Sequence, residues 1–154
     1  MIKSYLQILQ DSLIKKLELL TKIEQKSLEQ SAMIKNKDID FALIDQNMDE
    51  KAKLIEEVLA MDEGFESIYE KIRIHLVPKK EQYRTEIQAL QKMIEKVTAK
   101  STSIQVIEAR NKAEMEVYFN NQKRGIQSKR NAMSVARDYY QSMNKVKHVT
   151  PQFL

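Results

Sequence analysis

Two runs of apolar residues, one on each side of Pro78, recur at alternating steps of three and four. The first is Phe41, Ile44, Met48, Ile55, Val58, Phe65, Tyr69, Ile72 and Leu76. The second is Tyr83, Ile87, Leu90, Ile94, Val97, Ile104, Met115 and Tyr118. At 3.6 residues per turn, that spacing lays every member on one side of an α-helix, with the seam geometry of a coiled coil. It predicts two long helices whose stripes face each other across Pro78. Such a chain presents long helical surfaces to other proteins rather than a catalytic cleft.

A sheet protein is excluded by turn chemistry, since the 154 residues include only two glycines and two prolines. The expected fold is all-α: an elongated antiparallel bundle of three long helices at about 2–35, 39–76 and 79–123, filling 1–125, with a basic tail over 126–154. The first helix carries Ile2, Leu6, Leu9, Leu13, Leu17, Leu20 and Leu28 on its apolar side. Asn36-Lys37-Asp38 interrupts it, and Asp38 is the expected N-cap of the second helix. Lys51 and Asp62 break the first stripe, and Asp62-Glu63-Gly64 reads as a kink or short break. Pro78 should push Val77 out of helical geometry and restart the chain as a first-turn proline.

The second stripe weakens at Ser101, Glu108 and Asn111. These read as a solvent-facing stretch beyond the end of a shorter neighbour, with a register device as the alternative. Gly125 is the expected helix stop. In the tail, 131–146 has the spacing of a short amphipathic helix and 149–154 reads as extended.

Charge is unevenly spread. From Asn121 onward there are seven basic residues against Asp138 alone, a net of +6, and with +4 overall the first 120 residues net −2. The opening Met1-Ile2-Lys3-Ser4-Tyr5 lacks the long apolar core of a signal peptide, and no run approaches the roughly 20 apolar residues of a membrane span. Cysteine is absent, so disulfides and thiolate metal sites are excluded. The expectation is a cytoplasmic protein, monomeric or weakly dimeric, without stable membrane insertion.

Reaction chemistry finds no foothold. His75 and His148 stand apart from any nucleophile or carboxylate cluster, and general acid–base work needs geometry before pKa. No metal-ligand spacing, EF-hand loop or phosphate-binding glycine loop occurs. The expectation is a protein that is not an enzyme and carries no cofactor or metal. Lys123, Arg124, Lys129 and Arg130 with Tyr139 and Tyr140 behind them are the residues that would favour nucleic-acid binding, but their charge is too diffuse to make it the expected role. A membrane-surface role for 129–146 lacks tryptophan and has only a narrow apolar face. The methionines are core filler in the main, Met48 and Met93 among them. Met115, Met133 and Met143 also suit a groove that accepts several side-chain shapes.

The order Glu24-Gln25-Lys26-Ser27-Leu28, Lys37-Asp38-Ile39-Asp40, Leu43-Ile44, Lys51-Ala52-Lys53-Leu54-Ile55-Glu56-Glu57-Val58 and Met61-Asp62-Glu63-Gly64-Phe65 resembles the FlgN-type flagellar export chaperones. In those proteins a long first helix ends at a small acidic turn, and a helix with a K-x-x-L-I pattern follows. The closing Ala136-Arg137-Asp138-Tyr139-Tyr140-Gln141-Ser142-Met143 and Pro151-Gln152-Phe153-Leu154 are similar to tails of that group. Related chaperones for the filament cap share the same style.

The resemblance implies a cytoplasmic helical chaperone for the hook–filament junction proteins, which it protects from premature assembly and delivers to the export apparatus. Binding is attributed to the C-terminal part. Carried onto this sequence, that implies contacts from Met115, Tyr118, Ile126, Met133, Ala136, Tyr140 and Met143. A coiled-coil scaffold or dimerisation protein without a client is the competing reading.

Overall fold

The computed structural model describes residues 1–121 and 137–145. Among them every regular element is helical: α1 (Ile2–Lys35), α2 (Phe41–Leu76), a 3-10 turn (Val77–Lys79), α3 (Arg84–Asn121) and a short α4 at 137–144. Helix α3 has 38 residues, about 57 Å at 1.5 Å per residue. The fold is an all-α bundle of long helices, as the periodicity requires. Expected features at Gly125, at 126–136 and at 146–154, His148 included, lie outside the described residues.

The stripes do not pack on one another directly. Helix α1 lies close along both α2 and α3, whereas the backbones of α2 and α3 hardly approach each other. Ile55 and Val58 of α2 and Leu90 and Ile104 of α3 are fully buried beside Leu9, Leu20 and Ile23 of α1. Each such side chain is worth roughly 1.5–3 kcal/mol of burial. Where α2 and α3 do meet, long side chains bridge the wider gap. Phe41 stacks on Phe119 at 5.3 Å between ring centroids and meets Tyr118 at 5.4 Å.

The residues that interrupt the stripes are buried, contrary to expectation. Ser101, Glu108 and Asn111 are 0%, 4% and 0% exposed, so the weak seam of α3 is not a solvent-facing overhang. Partners explain the burial of Glu108 and Asn111. Lys51 of α2 donates to Glu108 Oε1 at 3.0 Å, and Asn111 Nδ2 donates to the Ser27 carbonyl of α1 at 2.9 Å. Asp62, the other residue that interrupts the α2 stripe, accepts from buried Lys16 of α1 at 2.6 Å.

The layer fixes register. Sliding α3 by one heptad would set Ser101 or Met115 opposite Lys51 and strand two buried charges. It also moves Leu28, expected on the inward side of α1, out to 52% exposure, because Ser27 and Gln30 take the inward positions at that level.

Helix ends correct three further expectations. Asp40, not Asp38, caps α2: its carboxylate accepts from Ala42 N at 3.0 Å and Leu43 N at 3.4 Å, with extended backbone (φ −94°, ψ 102°). Helix α2 runs unbroken through Gly64, which is exposed and helical. Val77 keeps helical dihedrals (φ −56°, ψ −44°) and donates to Arg73 O. Pro78 therefore enters a 3-10 turn instead of forcing an extended residue before it. Its missing N–H is harmless there, since the first residues of a turn have no partner to lose.

Candidate partner-binding site

Helix α4 covers the gap that α2 and α3 leave. Tyr139 and Met143, four residues apart and therefore on one side of the helix, are 1% and 4% exposed, and Tyr140 beside them is half-buried. The Tyr139 ring lies against α2, with Lys51 Nζ 4.4 Å from its centroid. The Tyr140 ring lies against α3, with Lys112 Nζ 5.7 Å away, and the two tyrosine rings meet edge to face at 5.3 Å. Two cations on the body thus face two adjacent rings on α4, a pairing worth most where water is excluded.

Beneath Tyr139 the polar layer is crowded but incompletely paired. Lys51 also donates to Gln30 Oε1, and Gln30 Nε2 donates in turn to the thioether of Met115 at 3.1 Å. Ser31 Oγ donates to Asn111 Oδ1 at 2.5 Å. Glu108 Oε2 and the hydroxyls of Ser101, Tyr139 and Tyr140 are buried with no hydrogen-bond partner among the described residues. Buried polar atoms of that kind carry a desolvation cost, so this end of the bundle is less well satisfied than an apolar core would be.

The ionisation states follow from burial. Removal from water pushes the Lys51 ammonium below the usual lysine value, and the charge and hydrogen bond of Glu108 oppose it. Burial, reinforced by the Glu108 charge, pushes the Tyr139 and Tyr140 hydroxyls well above the usual tyrosine value. Between α1 and α3, the hydrogen bond from Lys100 holds the Glu24 carboxyl below the usual glutamate value.

A cleft of about 390 Å³ opens beside this contact, lined by Lys112, Met115, Glu116 and Phe119 of α3 and by Arg137, Tyr140, Gln141 and Asn144 of α4. Of the residues expected to bind a partner, Met115 and Tyr140 line that cleft. Met143 is packed in the core and Tyr118 belongs to the aromatic cluster with Phe41. Ile126, Met133 and Ala136 lie outside the described residues.

Lys51, Glu108, Phe119 and Tyr139 were not singled out as site residues from the sequence. A readable signal existed for two of them: Lys51 and Glu108 are opposite charges at seam positions of neighbouring helices. His75 is exposed, and no group of metal-ligating side chains occurs among the described residues.

The groove between α2 and α3 holds a helix, α4, whose Tyr139 ring lies on Lys51 and whose Tyr140 ring faces Lys112. The fold and site define a helical-bundle protein with one short helix laid across a polar-floored groove. No described helix is long and apolar enough to cross a membrane. Protein-family models, curated proteins and solved structures were compared with the chain, and none matches it.

Proposed function

We propose that the chain is a cytoplasmic export chaperone of the FlgN type. It holds a terminal helix of a hook–filament junction protein, prevents premature assembly and passes the client to the flagellar export apparatus. The observation that carries this reading is α4. It is an amphipathic helix seated in the gap between α2 and α3 over partly unsatisfied polar groups, so a site shaped for one helix already exists. In the free chain α4 fills that site; with a client, α4 rearranges and the client helix takes the groove. A segment that must be displaced lowers affinity and eases release, which suits delivery. Met115, Tyr140 and Met143 are the residues of the resemblance that this exchange uses.

The test is binding of purified hook–filament junction proteins to the full chain, read by calorimetry and by mass of the complex. A 1:1 complex that tightens in a Tyr139→Ala chain supports the proposal. Absence of binding to every junction protein and to the filament-cap protein of the same cell overturns it.

The scaffold reading rests on a different surface. Val106 and Val117 are 54% and 58% exposed on α3, with exposed Ala109 and Ala113 between them at helical spacing. Light scattering separates the two, since a long client-independent dimer that Val106→Glu dissolves favours the scaffold.

A further inference from the structure

We infer that the gap between α2 and α3 selects its occupant by an aromatic ring laid on the Lys51 ammonium. A partner helix that replaces α4 must then carry an aromatic residue there, with an apolar residue four positions later. The inference rests on the reading of α4 as a displaceable segment and adds what the displaced site recognises.

Three features of the site lead to it. An ammonium has three N–H donors and no acceptor. Gln30 Oε1 and Glu108 Oε1 take two of them, and the face of Tyr139 occupies the third direction. Lys51 is 0% exposed, so water does not stand in for the ring while a helix is seated.

Alternatives at that position fare worse. A leucine would leave one N–H of a buried cation against hydrocarbon, the costly case for any polar group. A carboxylate would meet the negative charge of Glu108, whose second oxygen is already buried without a partner among the described residues. A ring supplies a negative face without adding a charge, and it fills the volume that Tyr139 now fills. The same pairing is repeated at the rim, where Lys112 stands over Tyr140. Met143, four residues after Tyr139 and buried, supplies the apolar anchor one turn on.

The experiment uses a fluorescein-labelled peptide of residues 134–147 and the same peptide with Tyr139→Leu. Both are titrated by anisotropy into the full-length Tyr139→Ala chain, whose own α4 lacks the ring. The natural peptide should bind about tenfold more tightly than the leucine peptide. That preference should fall to about twofold or less when the chain also carries Lys51→Met with Glu108→Leu, a pair of changes that leaves no lone buried charge. Circular dichroism confirms that the variants remain helical.

Equal affinity for the two peptides, a preference that survives loss of Lys51, or no binding of either peptide overturns the inference. A wild-type dimer that the peptide splits into monomers would make the occupant a second copy and would overturn it too. The peptides are not flagellar clients. A junction protein that fails to bind therefore leaves the ring preference standing, and loss of the preference leaves the chaperone proposal standing.

Discussion

Lys51 Nζ lies 3.0 Å from Glu108 Oε1, and the two side chains are 0% and 5% exposed. They come from the two helices whose backbones approach least. Replacing Lys51 by Met alone leaves the Glu108 carboxylate buried without its cation, and such half-broken pairs cost about 3–5 kcal/mol. The double variant Lys51→Met with Glu108→Leu should recover most of that loss, because paired removal of buried charges is often neutral or better. Urea unfolding of the two variants checks this. A double variant no more stable than the single one would show that the pair is not what the single change breaks.

Alkaline pH should expose the buried tyrosines. Tyr139 and Tyr140 have hydroxyls raised by burial above the ordinary value of 10.0. In the unfolded chain they ionise near that value while the folded ones stay protonated. Their contribution is therefore fully present below pH 10 and lost as pH rises above it, by about 1.4 kcal/mol per pH unit for each tyrosine.

Lys51 acts with the opposite sign, since its folded value lies below the usual 10.5. Its contribution rises with pH until the unfolded lysine also loses its proton. Urea midpoints between pH 8 and pH 11, with absorbance at 295 nm, should show a decline above pH 10. Tyr139→Phe should remove one tyrosine's share of that decline. An unchanged slope in Tyr139→Phe would mean that this hydroxyl titrates alike in both states.

The helices were legible because their apolar spacing is long and regular. The spacing puts α1 at 2–35 and α2 at 39–76, against Ile2–Lys35 and Phe41–Leu76 in the structure. What the spacing could not carry was pairing between helices. Glu108 and Asn111 look solvent-facing when α3 is read alone. They make sense as core residues only once Lys51, Ser27 and Ser31 are brought to the same level, and that is long-range information. Tyr139 was missed for a related reason. Tyr139 and Tyr140 are neighbours on one helix, and spacing to Met143 allows either to be the inward residue, at four or at three positions. The cation waiting on α2 decides it.

The cap of α2 gives a sharp comparison between two nearby aspartates. Asp40 accepts from two backbone N–H groups, Ala42 and Leu43. Asp38, the residue expected from the sequence, is exposed and its backbone N–H reaches Asn36 Oδ1 at 3.4 Å. Asp40→Ala should cost about 1 kcal/mol, in the range of measured N-cap losses. Asp38→Ala should stay within about 0.5 kcal/mol of wild type. Equal effects in urea unfolding would place the cap wrongly.

Gly64 offers a stabilising change. It sits within α2, and a Cβ built on it meets no heavy atom within 4 Å. Its backbone is already helical, so alanine adds helix propensity and removes unfolded-state freedom without strain. Gly64→Ala should gain about 0.4–1 kcal/mol in urea unfolding. A loss would mean that α2 needs a bend there.

Tyr139→Ala tests whether α4 is held by its ring. The substitution removes the only side chain of α4 shown touching Lys51, leaving Met143 and Tyr140 as anchors. An eight-residue helix is unstable in water without packing, so loss of that contact should release α4 while the three long helices stay packed. Hydrogen exchange should show amides of 137–145 losing protection. Those around Leu20, Ile55 and Leu90, which are 0% exposed, should keep it. Uniform loss along the chain would make Tyr139 a general stability residue. Unchanged protection over 137–145 would mean that Met143 and Tyr140 hold α4 unaided.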